Sequence, residues 1–137
     1  VKALQLKEDK MARAISQVSI VLPSGATAEV KGPAISPNKG IHSGLLALVK
    51  VVTPTFTNNI TVTIKMYDRN GILLWTSAAL AETSGTTGYA LPVSIPINLQ
   101  EYFSATPSGD PGSGGGTVTI NADYIPDHYI PLQGGAV

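Results

Sequence analysis

Cysteine is missing altogether from the 137 residues. That removes a disulfide framework, a thiolate zinc site and a cysteine nucleophile, and it leaves the redox compartment unreadable. Charge is scarce too: Asp, Glu, Lys and Arg make up 13%, about half the usual share. The nine basic and nine acidic residues cancel, so nucleic acid is not an expected partner. No apolar run approaches the ~18 residues of a membrane helix, and no signal-peptide pattern opens the chain, so a membrane is not expected either. Histidine occurs twice and tryptophan once.

What fills the space is Ser and Thr, 24 together, with 14 Gly and 10 Pro. Apolar residues reach 43%, enough for a core, and the length suits one domain. A charge-poor, Thr-rich, Gly/Pro-punctuated chain has the composition of a β protein rather than of a helical bundle or a disordered tail.

Residues 1–14 stand apart, with six of the eighteen charges and neither Gly nor Pro. Their Lys, Glu, Gln and Arg favour helix, but the apolar spacing suits no single face; a short helix or an extended arm is expected. The chain opens on Val, and Met11 before Ala12-Arg13-Ala14 reads as an alternative start, so whether residues 1–10 are native stays open. From Ile15 the period is two, the signature of strands. Val18, Ile20 and Leu22 alternate, then Pro23-Ser24-Gly25 turns the chain. Thr27 to Lys31 reads as a short strand closed by Gly32-Pro33, and 32–40 as a loop. Ser43 to Val52 is almost continuously apolar and predicts a strand buried on both faces, with Lys50 reaching an edge.

The clearest pattern is Ile60, Val62, Ile64 and Met66 alternating with Thr61, Thr63 and Lys65, followed by Asp68-Arg69-Asn70-Gly71 and a return strand Ile72 to Thr76. Asn-Gly suits the positive φ angles of a tight hairpin. Ala78–Glu82 and Asn98–Ser104 each spell a helical turn. Between them Val93, Ile95 and Ile97 alternate with Pro92 and Pro96 on the other parity. Proline cannot donate to a ladder, so this is an edge or irregular strand. Residues 107–116 are Gly/Ser-rich and predict a flexible tip. Val118, Ile120, Ala122 and Tyr124 point inward in the last strand. The result is an all-β, antiparallel two-sheet sandwich of Greek-key or jelly-roll type over 15–125, an arm or short helix at 1–14 and a tail at 126–137.

Chemistry is thin. His42 and His128 accompany no Gly-x-Ser-x-Gly elbow and no His-x-x-x-His spacing. Asp68-x-Asn70-Gly71 lacks the later acids of a calcium loop, and Gly114-Gly115-Gly116 lacks the Lys-Ser/Thr of a P-loop. Asn59-Ile60-Thr61 matches a glycosylation pattern that a Thr-rich chain produces by chance. No catalytic residue, metal or cofactor is assigned, and an enzyme is not expected. Two features read either as plain charge drift and core or rim packing, or as signs of contact. Residues 1–69 hold all nine basic residues and four acids, a net of +5, and residues 70–137 carry −5. Tyr is enriched at interfaces, and Tyr89, Tyr102, Phe103, Tyr124 and Tyr129 crowd the last third. The interface candidates are Leu4, Leu6, Met11, Tyr89, Tyr102, Phe103, Tyr129, Ile130 and Leu132.

The stretch Phe56-Thr57-Asn58-Asn59-Ile60-Thr61-Val62-Thr63-Ile64, the turn Asp68-Arg69-Asn70-Gly71 and the run Leu73-Leu74-Trp75-Thr76-Ser77-Ala78-Ala79-Leu80-Ala81-Glu82, followed by the proline-bearing strand 91–97 and a Gly/Ser-rich tip, resembles small β-sandwich structural proteins of tailed bacteriophage virions. The resemblance spans roughly 43–124 and carries no catalytic residue. It implies a virion structural role as a capsid decoration (cement) protein or a head–tail component, with copies of itself or major capsid or tail proteins as partners, at the particle surface or otherwise outside the cell. The competing expectation is an extracellular immunoglobulin-like or carbohydrate-binding module.

Overall fold

The computed structural model describes residues 14–35, 43–83 and 88–126. Eight strands run through them: β1 (Ala14–Leu22), β2 (Val30–Ala34), β3 (Gly44–Val52), β4 (Thr61–Tyr67), β5 (Leu73–Ala81), β6 (Tyr89–Ile97), β7 (Tyr102–Pro107) and β8 (Gly116–Pro126). They form two antiparallel four-stranded sheets: sheet A in the order β1-β8-β3-β6, and sheet B in the order β2-β7-β4-β5. The pairs β4–β5, β3–β6, β2–β7 and β1–β8 nest one inside another. This is a long hairpin rolled over on itself, the jelly-roll arrangement.

The core is the set of inward alternates of both sheets. Val18, Ile20 and Leu22 of β1, Leu46, Val49 and Val51 of β3, Val62, Ile64 and Met66 of β4, Phe103 and Ala105 of β7, and Val118, Ile120, Ala122 and Tyr124 of β8 are all buried in one cluster. Trp75 packs partly buried against it, opposite Met66. The expected inward positions of β4 and β8 hold throughout, and β6, with Pro92 and Pro96 exposed, ends sheet A.

Several local expectations are corrected. β3 is not buried on both faces: its pattern alternates, and Leu45 and Lys50 are exposed. Against β8 it carries one extra residue between Leu46 and Leu48. That bulge flips the inward parity from Gly44/Leu46 to Val49/Val51 and makes the run look continuously apolar. Lys50 lies on the outer face of this central strand, between Asn121 and Ala90, not at an edge. β2 begins at Val30 and contains Gly32-Pro33 rather than ending there. Residues 78–81 are strand, not helix: Ala79 and Ala81 pair with Thr63 and Thr61, so tertiary pairing overrides the helix propensity of alanine. Nor is there helix at 98–104. Leu99 has φ +66°, Asn98 N–H donates to the Glu101 carboxylate, and β7 starts at Tyr102.

The hairpin turn also differs from a two-residue Asn-Gly turn. Gly71 N–H donates to Asp68 C=O and Asp68 N–H donates to Ile72 C=O, both at 2.9 Å. Gly71 alone has positive φ, at +85°, which is a type I turn followed by a glycine bulge. The Asp68 carboxylate accepts from the Asn70 and Ile72 amides and locks it. The Gly/Ser-rich segment after β7 is packed rather than a free tip. The Asp110 carboxylate accepts from Gly25 N–H and Gly112 N–H, each at 2.8 Å. Asn58 donates to the carbonyls of Asp110 and Pro111, Thr57 Oγ1 donates to Ser113, and Pro111 and Gly112 are buried. The expected arm at 1–14 and tail at 126–137 lie outside the described residues, apart from Ala14 and Pro126, which belong to β1 and β8.

Two outcomes follow from this packing. Ile64, fully buried, should cost ~2–5 kcal/mol when changed to Ala, the range for emptying a core site. Thr63→Ala, on the outer face opposite Thr106, should cost far less; denaturant melts of the two variants check the register. Asp110→Ala should speed amide exchange at Gly25 and Gly112 together, because one carboxylate holds both, while leaving exchange in β8 unchanged.

Candidate interaction surface

The outer face of sheet B is ordered by its registers. Lys31 of β2, Ser104 of β7, Lys65 of β4 and Thr76 of β5 lie in one row across the four strands. Ala34, Tyr102, Tyr67 and Leu73 form the next. Alternation along β4 and β7 sends Met66 and Phe103 into the core, so Tyr67 and Tyr102 turn outward side by side. Their rings stack with centroids 5.4 Å apart and 24° between planes. The Lys31 ammonium stands 5.8 Å from both centroids, a cation–π distance.

Glu29, from the loop before β2, ties this face together. Its Oε2 accepts from Tyr67 Oη at 2.5 Å and from Ser104 Oγ at 2.6 Å. Ser104 is thereby covered completely although its parity faces outward. The Ser104 hydrogen bond, then that of Tyr67, hold the Glu29 carboxyl below its ordinary value, with Lys65 and Lys31 adding to the effect. The same hydrogen bond to Glu29 raises the Tyr67 phenol above its ordinary value. At neutral pH the cluster is therefore a carboxylate bound by two hydroxyls, with Lys65 and Lys31 close by.

Sheet A's outer face offers less relief. A shallow depression of ≈ 270 Å³ is lined by Lys50, Val52, Gly88, Tyr89, Ala90 and Asn121. Beyond it, large apolar side chains lie open: Ile15 and Val21 on β1, Leu45 on β3, Ile125 on β8, and Ile72, Leu73 and Leu74 where the hairpin returns. No group of three or more metal-ligating side chains occurs among the described residues.

The sequence-derived candidates divide accordingly. Tyr102 belongs to the stacked pair. Tyr89, half-buried on β6, lines the depression and donates from its hydroxyl to Ala81 C=O. Phe103 is withdrawn as a surface residue, because the parity that exposes Tyr102 buries it completely. Leu4, Leu6, Met11, Tyr129, Ile130 and Leu132 lie outside the described residues. Sequence reading missed Glu29, Tyr67 and Ser104. Their bonds join positions 38 and 75 apart, and only the strand registers bring them together.

No family model matches the chain, and no curated protein matches it. Similar solved structures exist. A Bacillus endospore appendage protein, described as forming disulfide-linked pili, is 15% identical with a TM-score of 0.43, over 83% of this chain and 88% of that one. The arabinose-bound α-L-arabinofuranosidase MgGH51 is 20% identical with a TM-score of 0.46, over 80% of this chain but 19% of that one. A chain of the infectious bursal disease virus T13 particle is 12% identical with a TM-score of 0.38, over 81% of this chain and 31% of that one. This chain thus spans less than a third of the last two. Identities and scores this low carry no argument about function.

The Glu29 cluster predicts a pH dependence. A carboxyl whose pKa is depressed on folding contributes stability above its unfolded value and loses it as pH falls through its folded value. The wild-type Tm should therefore drop on acidification below the ordinary carboxyl range near 4.5. Glu29→Gln, which still accepts both hydroxyls but does not titrate, should show a shallower acid limb. Superimposable acid limbs would remove the cluster from the account.

Proposed function

We propose that this domain is a non-enzymatic structural protein of a virion, a capsid decoration (cement) or head–tail component. On this reading it works by docking on copies of itself or on major capsid or tail proteins, at the particle surface. The observation that carries the reading is the exposed apolar side chains on a charge-poor jelly roll. Seven large ones are 37–61% exposed, on a chain with half the usual charge to keep copies apart. Burying such groups against a partner is worth ~1.5–3 kcal/mol each before ordering costs. Small gains multiply over a lattice of copies. The sequence resemblance to small phage virion proteins points the same way.

The placement of the strand ends adds a route. Ala14 pairs with Tyr124, and Pro126 pairs with Gly44, so the first and last described residues lie on adjoining strands at one end of sheet A. On this reading the apolar residues Leu4, Leu6 and Met11, and Tyr129, Ile130 and Leu132, are the contacts by which the two ends of the chain would hold a neighbour.

Deleting 1–13 or 127–137 should leave the strand signal of far-UV circular dichroism intact and reduce assembly size in light scattering and sedimentation. Should both truncations assemble like the full chain, the binding-module reading takes over, with the stacked Tyr67–Tyr102 pair as its contact.

A further inference from the structure

Four strands end the two sheets: β1 and β6 in sheet A, β2 and β5 in sheet B. A sheet edge presents a row of backbone N–H and C=O groups that invites pairing with another chain. Folded proteins block such edges with proline, charge, bulges or brevity.

Three of these edges are blocked. β6 carries Pro92 and Pro96. β2 is five residues long, contains Gly32-Pro33, and slips register between Lys31 and Ala34. β5 is bulged twice against β4, between the partners of Thr63 and Lys65 and again between those of Met66 and Tyr67. At the first bulge the Ser77 hydroxyl, not a strand carbonyl, accepts from Ile64 N–H.

β1 has none of these devices. It is nine residues of Ala-Ile-Ser-Gln-Val-Ser-Ile-Val-Leu, with no proline, no glycine and no charge. Its register with β8 runs unbroken from Ala14↔Tyr124 to Leu22↔Gly116. Among the described residues β8 is its sole ladder partner. At ~3.4 Å per residue its nine residues give an edge about 30 Å long.

The edge is also complementary to itself. We propose that β1 is an interface for a second copy of this chain, two β1 strands pairing antiparallel about Val18 to make one continuous eight-stranded sheet. This centring sets Ile15 against Val21 of the second copy, and Gln17 against Ser19. Ile15 and Val21 are 54% and 60% exposed, the two open large apolar side chains of the strand. They share its outer face six residues apart, so a two-fold about the midpoint covers all four at once. Both edges are uncharged, so no like charges meet in register, whereas a face-to-face contact through sheet B would oppose the lysine rows. Each Ala14 then lies against Leu22 of the second copy.

This inference deepens the assembly reading and rests on it. The test uses Gln17 and Ser19, both exposed and outward. Sedimentation velocity of the full chain should show a monomer–dimer equilibrium. Gln17→Lys/Ser19→Lys and Gln17→Glu/Ser19→Glu should each fold normally by circular dichroism and weaken dimerisation at least ~10-fold, because the pairing opposes like charges. Their equimolar mixture should restore the dimer, Lys against Glu at every cross-pair. Equal dimerisation of the lysine variant and the wild type would overturn the edge while leaving self-assembly standing. A mixture that stays monomeric would overturn the register about Val18. A wild-type chain that stays monomeric at high concentration would overturn the pairing altogether, and docking on a larger particle is then judged by the truncations alone.

Discussion

β8 is hydrogen-bonded along both sides, to β1 over nine positions and to β3 over eight. Val118, Ile120, Ala122 and Tyr124 on its inner face are fully sealed from solvent. Pairing β8 with β1 brings together residues 94 to 110 positions apart, and the pairs β2–β7, β3–β6 and β4–β5 nest within that closure. The closure of a loop that long is opposed by chain entropy. With no disulfide to reduce the opposition, burial of the alternate side chains must supply the driving force. The innermost pair, β4–β5, closes across a three-residue loop and has the least entropy to overcome. The outermost depends on the whole core being in place, the pattern expected of a slow, topology-limited β fold.

The same economy shapes the surface. One carboxylate, Glu29, anchors the loop before β2 to sheet B through two hydroxyls. Another, Asp110, clamps the 23–29 and 108–115 loops through two amides. Single acids hold loops in place, and apart from the lysines at 31, 50 and 65 the outer faces carry mostly uncharged side chains. Such a surface repels other copies weakly. Three of its four edges are nonetheless interrupted by proline or bulges, which leaves β1 as the edge where the proposed pairing would form in one register instead of as indiscriminate strand stacking.

Alternation made β4 and β8 legible in the sequence, because each strand has one core face and no interruption. Pro92 and Pro96 made β6 legible as an edge. Where a bulge intervened, the pattern failed: β3 looks uniformly apolar because its inward parity changes at Ala47. Ala78–Ala81 looks helical because local propensity knows nothing of Thr61 and Thr63 across the ladder. The 108–115 segment looks loose because its hydrogen-bond partners, Gly25, Thr57 and Asn58, lie far away in the chain. Of the surface candidates, Tyr102 was visible as an aromatic near a loop. Its partner Tyr67 and the Glu29–Ser104 bond needed the registers. Phe103 was misassigned because a one-residue step in a strand reverses the face.

The central claim is that this jelly roll acts by contact, and that an open β1 edge is where copies meet. Amide hydrogen exchange of the full chain across a concentration series tests it most directly. Concentration should slow exchange of alternate amides in Ala14–Leu22, those directed away from β8, while β6 and the β4–β5 turn exchange unchanged. Exchange independent of concentration along β1, or protection growing at β5 or β6 instead, would contradict the account.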